Sequence, residues 1–355
     1  MFEIVDSSTF SQMYDGGKSP IDVFTDYFKN KKSTTFLYWY VLEFTASPFN
    51  YYDYETKHDD IVKLENILIE NDLKIFVIIS GVLTKLTDDL KLNPIKNVEF
   101  LIWPTYLLHY SCYGLEKAYN KPISSIEIEK EFKNLYFNFN IKPKYHRGML
   151  IDKLHQNNLF KYGKNSWSSN LDTNHKYDFQ SWKEENLKID DYNGNEFTGY
   201  YSEDFLKLNC FVNVIGETLY NNKDIFITEK TFKSILIEQP FICLSSQYFH
   251  KHLTNLGFKL YDEIFDYGFD NEFELENRVM GIINNLLNLK NEDYEIIYKK
   301  IVDKVKYNKK IALEIIENDS FIPKILLTLY KENKGTFNSL ETKLPYYFKN
   351  IIKNI

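Results

Sequence analysis

The stretch "CFVNVIGETLYNNKDIFITEKTFKSILIEQPFICLS", residues 210–245, reads as one complete strand–helix–strand unit. Its first seven residues are β-branched or aromatic in the main and end at Gly216, as a short buried strand does. From Thr228 the pattern changes period: Phe232, Ile235 and Leu236 form the apolar stripe of a helix, and Thr228 stands where an N-cap belongs. "PFICLS" then supplies a second strand. Two apolar strands joined through a helix pair in parallel, in a sheet covered on both faces. Glu229 and Lys230 fall in the first helical turn. A carboxylate there suits the helix dipole, worth about 0.3 to 1 kcal/mol, whereas a cation opposes it. Lys230 makes better sense beside an anionic ligand, with Glu229 accepting hydrogen bonds from a pair of sugar hydroxyls.

Upstream, "FNFNIKPKYHRGMLIDKLHQNNLFKYGKNSW", residues 137–167, repeats the layout. "LYFNFN" is a strand and "YHRGMLIDKLHQNNLF" a helix with Met149, Leu150 and Leu154 on one side. Lys142, Lys144, His146 and Arg147 crowd the loop and first turn, where backbone N–H groups and the positive dipole end point the same way. The Arg147 fork can grip two phosphate oxygens, while Lys142 and Lys144 add point charge. The same charges would also suit a solvated basic helix start. His146 reads as an ordinary loop histidine or a minor ligand.

The alternation continues outward. "TTFLYWYVLEF" from Thr34 and "LKIFVIISG" from Leu73 are strands around the helical "KHDDIVKLENILIEND", and "VEFLIWPTYLLHY" from Val98 offers a strand stopped by Pro104. Polar turn signals place a linker between about Gly114 and Lys133. Downstream, "QYFHKHLTNLG" is a helix ended by Gly257, and from about Glu272 the pattern is mostly helical. At 355 residues the chain suits two domains, since domains usually hold about 100 to 200 residues. The expected architecture is two tandem α/β domains with a cleft between them, ligands sitting beyond the carboxyl ends of the strands.

Composition narrows the functional classes. A hydrophobic content of 44%, without an apolar run near the ~20 residues that span a bilayer, describes a soluble globular protein. "MFEIVDSSTFSQ" lacks the basic and apolar regions of a secretory signal, so a cytoplasmic location is expected. The net charge of −7 opposes charge-driven nucleic-acid binding over the whole surface. Cys112, Cys210 and Cys243 lack CxxC spacing and read as buried small hydrophobes, and His250 and His252, two apart on a helix, do not read as a metal pair. No metal constellation stands out.

Three blocks in order, "HRGMLIDKLHQNNLFKYGKNSW" (146–167), "ETLYNNKDIFITEKTFKSILIEQPFI" (217–242) and "LTNLGFKLYDEIFDYGFD" (253–270), resemble a group of viral and bacteriophage glycosyltransferase-like proteins. More distantly, the second is similar to the "Glu-Asn … Tyr-(Val/Ile)-Thr-Glu-Lys" block of the α-1,3-fucosyltransferase family. The resemblance covers roughly the middle third of the chain. It implies the GT-B type, two Rossmann-like domains facing across a cleft: an N-terminal acceptor domain at 1–125, a nucleotide-sugar donor domain at 126–330, and a helical segment at 331–355 packing back on the first. By position it implies that Arg147 and Lys230 contact the donor diphosphate, with Lys144 and Thr228 beside them, that Glu229 holds the ribose, and that Glu217 lines the donor-sugar pocket. Phe226 stands where the fucosyltransferases have Tyr and Thr218 where they have Asn, so neither guanine nor fucose carries over. The residue eight after Glu229 is Ile237, which breaks the E-x7-E spacing of retaining enzymes and favours inversion.

An inverting transfer needs a carboxylate within reach of the acceptor hydroxyl. Glu43, after "FLYWYVL", and Asp53, in the aromatic loop "FTASPFNYYDYE", are the candidates, though either would equally serve as a solvated loop carboxylate. The diphosphate would be stabilised by cations and helix dipoles rather than a metal or resident cofactor. The expected partners are a nucleotide sugar and an acceptor that is either a glycan or a hydroxymethylated base in phage DNA, the second drawing on "KNKK" from Lys29 and on Tyr51, Tyr52 and Tyr54. A non-catalytic nucleotide- or glycan-binding protein of the same fold is the alternative.

Overall fold

The computed structural model describes residues 1–6, 20–39, 59–81, 88, 91–127, 130–140, 144–167, 209–220 and 224–339. The chain divides into two compact units, Met1–His109 with Glu317–Ile355, and Tyr110–Ile316.

The first unit holds a parallel sheet of β1 (Phe2–Asp6), β2 (Thr34–Trp39), β3 (Leu73–Ile79) and β4 (Val98–Ile102), in the spatial order 1-2-3-4. Every crossover therefore steps in one direction, and the right-handed rule lays helices α1 (Pro20–Phe28) and α2 (Asp59–Glu70) on the same face. They pack on each other. Beneath them Phe36, Tyr38, Ile75, Val77 and Ile79 face Phe24, Phe28, Leu64 and Leu68, in one core. The rings meet edge to face, Phe24 on Phe28 and Phe28 on Phe36 each at 4.7 Å. Leu37, Phe76 and Ile78 are buried on the other face, which explains the unbroken apolar runs of β2 and β3.

Helix α3 (Tyr106–Tyr119) passes unbroken through Gly114. The division at 109/110 thus falls inside a helix, ahead of the polar turn signals at 114–133 that suggested a linker and ahead of the expected boundary at 125/126. The physical reason is that α3 is itself the connection. The chain rejoins the first unit at Glu317, earlier than the expected 331, and continues as α9 (Lys324–Glu332) and α10 (Lys334–Ser339). Phe337 of α10 stacks on Phe2 of β1 at 5.7 Å. Asp319 fixes the return: its buried Oδ2 accepts from Trp103 Nε1 at 2.8 Å, Thr105 Oγ1 at 2.5 Å and His109 Nε2 at 2.8 Å.

The second unit holds a parallel sheet of β5 (Asn134–Asn140), β6 (Gly163–Trp167), β7 (Cys210–Gly216) and β8 (Phe241–Leu244), in the spatial order 6-5-7-8. Four helices follow or join them: α4 (Tyr145–Gln156), α5 (Glu229–Leu236), α6 (Phe249–Asn255) and α7 (Leu275–Leu289), before the long α8 (Tyr294–Glu317). Strand β6, "GKNSW", was not assigned from sequence because it lacks the apolar alternation of a half-buried strand. Gly163 is required there, since a Cβ would lie 2.4 Å from the buried Tyr136 ring. Helix α6 ends as expected, with Gly257 at φ +96° just beyond it. Two parallel α/β sheets in one chain are compatible with two Rossmann-like domains. Among the described residues no helix is long and apolar enough to cross a membrane.

Candidate functional site

The order 6-5-7-8 contains a reversal. From β5 the chain steps outward to β6, then returns past β5 to β7 and continues the other way to β8. Right-handed crossovers consequently put α4 and α5 on opposite faces, which opens a crevice beyond the carboxyl ends of β5 and β7. That crevice is where open α/β sheets hold ligands. The sequence-predicted donor residues gather at it, because Lys144, His146 and Arg147 follow β5 and Glu217, Thr228, Glu229 and Lys230 follow β7.

Arg147 lies in the first turn of α4, 4% exposed, and spans the switch point. Its Nε donates to the Gly216 carbonyl at 3.1 Å and its Nη2 to the Glu217 carbonyl at 3.3 Å. A side chain on Gly216 would collide with it, its Cβ standing 2.8 Å from Arg147 Cγ. Lys144 reaches the same segment, donating to the Thr218 carbonyl at 3.3 Å. His146 is not a loop residue. It is fully buried in the first turn of α4, donates from Nε2 to the Glu217 carbonyl at 2.6 Å, and stacks on Tyr220 at 4.4 Å. Burial, reinforced by Arg147, holds its ring well below the usual histidine range, so it is neutral.

Two helices begin at this crevice, and they are furnished differently. Thr228 is the N-cap of α5, its Oγ1 accepting from Lys230 N at 3.3 Å. Behind it lies Glu217, wholly buried, with its carboxylate turned into the helix start: Thr228 N donates at 3.2 Å, Thr228 Oγ1 at 2.6 Å and Thr231 Oγ1 at 2.6 Å. Glu217 therefore fills the start of α5 with an internal carboxyl group. Burial raises its pKa, against the pull of Lys230 and the two threonine hydroxyls. At α4 the N-cap residue is Lys144, which makes no side-chain cap, and the functional groups of that first turn are cationic or neutral. The start of α4 thus lacks the acidic first-turn residue that α5 has in Glu229, and Lys144 and Arg147 make it cationic.

Lys230 and Glu229 stay partly exposed, 17% and 29% respectively, with 3.6 Å between Nζ and Oε1. Burial would push the Glu229 carboxyl up, but Lys230 and Lys233 together hold it below its ordinary value. Lys233 went unremarked in the sequence because it shares a helix with the expected apolar stripe. In fact every residue of α5 from Thr231 to Leu236 is buried, Lys233 included, and burial lowers its pKa to about 7. Lys230 and Lys233 border a cavity of about 20 Å³ with Phe137, Asn213 and Ile215, room for about one water. Asn140, at the end of β5, also belongs to the crevice; its buried Oδ1 has no partner and lies close to the Gly216 position.

The third sequence block serves the fold. Asp270 caps α6, accepting from His250 N at 3.1 Å, Lys251 N at 3.2 Å and His250 Nδ1 at 2.7 Å. Leaving the ring, Cys243 N donates to His250 Nε2 at 3.2 Å, so His250 joins β8 to that cap. The rest of the block lines an open surface depression of about 1050 Å³ around Phe258, Asp262, Asp266 and Lys304, away from Arg147, Glu229 and Lys230. Cys112, Cys210 and Cys243 are free thiols and buried, as expected. Among the described residues no group of three or more His, Cys, Asp or Glu is placed to hold a metal ion. Glu43, Asp53, Lys142 and the tyrosines at 51, 52 and 54 lie outside the described residues. No protein-family model, curated protein or solved structure matches the chain.

Proposed function

We propose that the chain is a glycosyltransferase that moves a sugar from a nucleotide-diphosphate donor to an acceptor hydroxyl. The observation that carries this reading is the convergence of Lys144, Arg147 and Lys230 on the strand-order switch point of the second unit, at the start of a helix whose N-cap has no side-chain cap. The diphosphate sits against Lys144, Lys230 and the first turn of α4. Arg147, bonded to the end of β7, adds fixed positive charge and holds the crevice in shape. Glu229, partly exposed and ionised, takes the ribose hydroxyls. Glu217 acts by positioning, since its carboxylate is committed to the start of α5. In the transfer the acceptor oxygen attacks the anomeric carbon, the bond to the diphosphate breaks, and a carboxylate, for which Glu43 and Asp53 are the sequence candidates, takes the acceptor proton. The reaction inverts the anomeric centre, and the cations and helix dipole stabilise the leaving diphosphate. An unspecified glycan acceptor ranks ahead of hydroxymethylated DNA, given the net charge of −7.

The test is calorimetry with UDP, GDP, CMP, ADP and dTDP. Lys230→Ala should raise the dissociation constant of the best ligand roughly ten- to a hundredfold, the cost of about 1.5 to 3 kcal/mol for a charge-assisted phosphate contact. A panel with no ligand sensitive to Lys230→Ala sinks the donor site. The commitment of Arg147 to two backbone carbonyls favours a second reading, in which the same crevice binds a nucleotide without turnover. Release of free sugar to water, or transfer to a glycan or hydroxymethylcytosine DNA, separates the two.

A further inference from the structure

His146 is surrounded in an unusual way. Arg147 and Lys144 on its own helix and Lys230 from α5 all act on it, and each disfavours its charged form. Tyr220 stacks on one face of the ring, and that loop is held by Arg278 of α7, which donates to the Tyr220 carbonyl. Glu217 offers only its backbone carbonyl, to Nε2, because its carboxylate is turned toward Thr228 and Thr231. Glu229 is engaged with Lys230. The remaining ring nitrogen, Nδ1, is buried and has no hydrogen-bond partner among the described residues. A buried acceptor left in that condition is costly, and in a native structure it calls for an explanation.

We propose that His146 makes ligand binding at this site proton-linked: when a nucleotide diphosphate binds among Lys144, Arg147 and Lys230, Nδ1 takes up one proton from solvent. The proposal rests on the reading above and adds to it the charge state of the bound complex. Two negative charges brought among those three cations cancel most of their repulsion at the ring and work against the cost of charging it in the interior. Nε2 needs no change, since it already donates to the Glu217 carbonyl and goes on doing so in the imidazolium. Nδ1 gains a hydrogen, and the ring its positive charge. Affinity then rises as pH falls through the window between the ring's pKa in the free protein, which lies well below 6.5, and its raised value in the complex.

The experiment is calorimetry on the full chain with UDP-glucose and GDP-mannose, whose diphosphate diesters keep constant charge across the range, in MES, PIPES, imidazole and Tris at matched pH. The slope of observed enthalpy against buffer ionisation enthalpy should report uptake of about one proton, and affinity should weaken by up to about tenfold per pH unit within the window. His146→Gln, which retains a side-chain N–H donor but does not titrate, should lower the slope by about one proton, and any uptake left belongs to Lys233, whose pKa of about 7 lies in the same range. Lys230→Ala should weaken binding and leave the slope in place. Binding of either nucleotide sugar without proton uptake overturns this inference and leaves the donor site standing, as does uptake that is undiminished in His146→Gln. No binding by any nucleotide or nucleotide sugar overturns the donor site and this inference with it.

Discussion

The two sheets have the same four parallel strands and differ in order. In the first unit the order 1-2-3-4 never reverses, so successive helices share a face; in the second, 6-5-7-8 reverses between β5 and β7. Each sheet also has a buried carboxylate just beyond its strands, and each carboxylate is turned inward. Asp319 gathers Trp103, Thr105 and His109 next to the end of β4, and closes the chain on itself. Glu217 gathers Thr228 and Thr231 next to the end of β7, and in doing so sets the start of a helix at the edge of a crevice. The difference teaches that a buried acid of the same kind stands beside a crevice in the sheet whose strand order reverses and beside none in the sheet whose order runs straight. Without a reversal, the same chemistry is a fastening.

The largest effect that would break this comparison comes from the fastening. Asp319→Ala leaves three donors without their acceptor inside the first unit and should cost about 3 to 5 kcal/mol, as removal of one partner from a buried pair does. Hydrogen exchange should then show β1–β4 losing protection while β5–β8 keep theirs; equal loss in both sheets would mean that Asp319 does not act within its own unit. Glu217→Ala should cost less, about 2 to 4 kcal/mol, because part of its loss is relieved by ending the burial of a charge. Here exchange should quicken at α5 and the end of β7. It should also weaken nucleotide-sugar binding at Lys230, an effect that Asp319→Ala has no reason to produce.

Acid titration sharpens the contrast with the smallest effect, and the two carboxylates carry opposite signs. Asp319 is buried, which would raise its pKa, yet His109, Thr105 and Trp103 outweigh that and hold it below its ordinary 3.8. Its contribution is present above 3.8 in the unfolded chain and is lost as pH falls through the lower folded value. Glu217 is raised above its ordinary 4.5, so the folded state binds the proton first and the native protein gains from it as pH falls through the folded value toward 4.5. Urea midpoints measured from pH 7 downward should show the advantage of the parent over Asp319→Asn shrinking, and its standing relative to Glu217→Gln improving. The same sign for both would show that one of the two carboxylates is not held as described.

Much of the second unit was legible because its signals are local. The period change after Gly216, the cap at Thr228 and the cations after β5 each depend on residues a few positions apart. Strand β6 was not legible, since "GKNSW" is a strand only because Tyr136 of β5 packs over Gly163. The orientation of Glu217 is not legible for a related reason: a carboxylate between a strand and a helix looks the same in sequence whether it turns toward a ligand or toward Thr228 and Thr231. The burial of His146, which reads as a loop histidine or minor ligand, and of Lys233 has no local mark in the sequence.

The sequence by itself determined the alternation of strands and helices, the positions of two cationic helix starts and the excess of negative charge elsewhere, since periodicity, capping and composition are properties of neighbours along the chain. Only the tertiary structure decided the strand order, and with it which two loops would lie side by side. It alone paired Asp319 with His109 across 210 residues and left His146 Nδ1 buried without a partner among the described residues. Those outcomes depend on which faces pack and how crossovers turn, and they place in contact groups whose separation along the chain carries no trace of it.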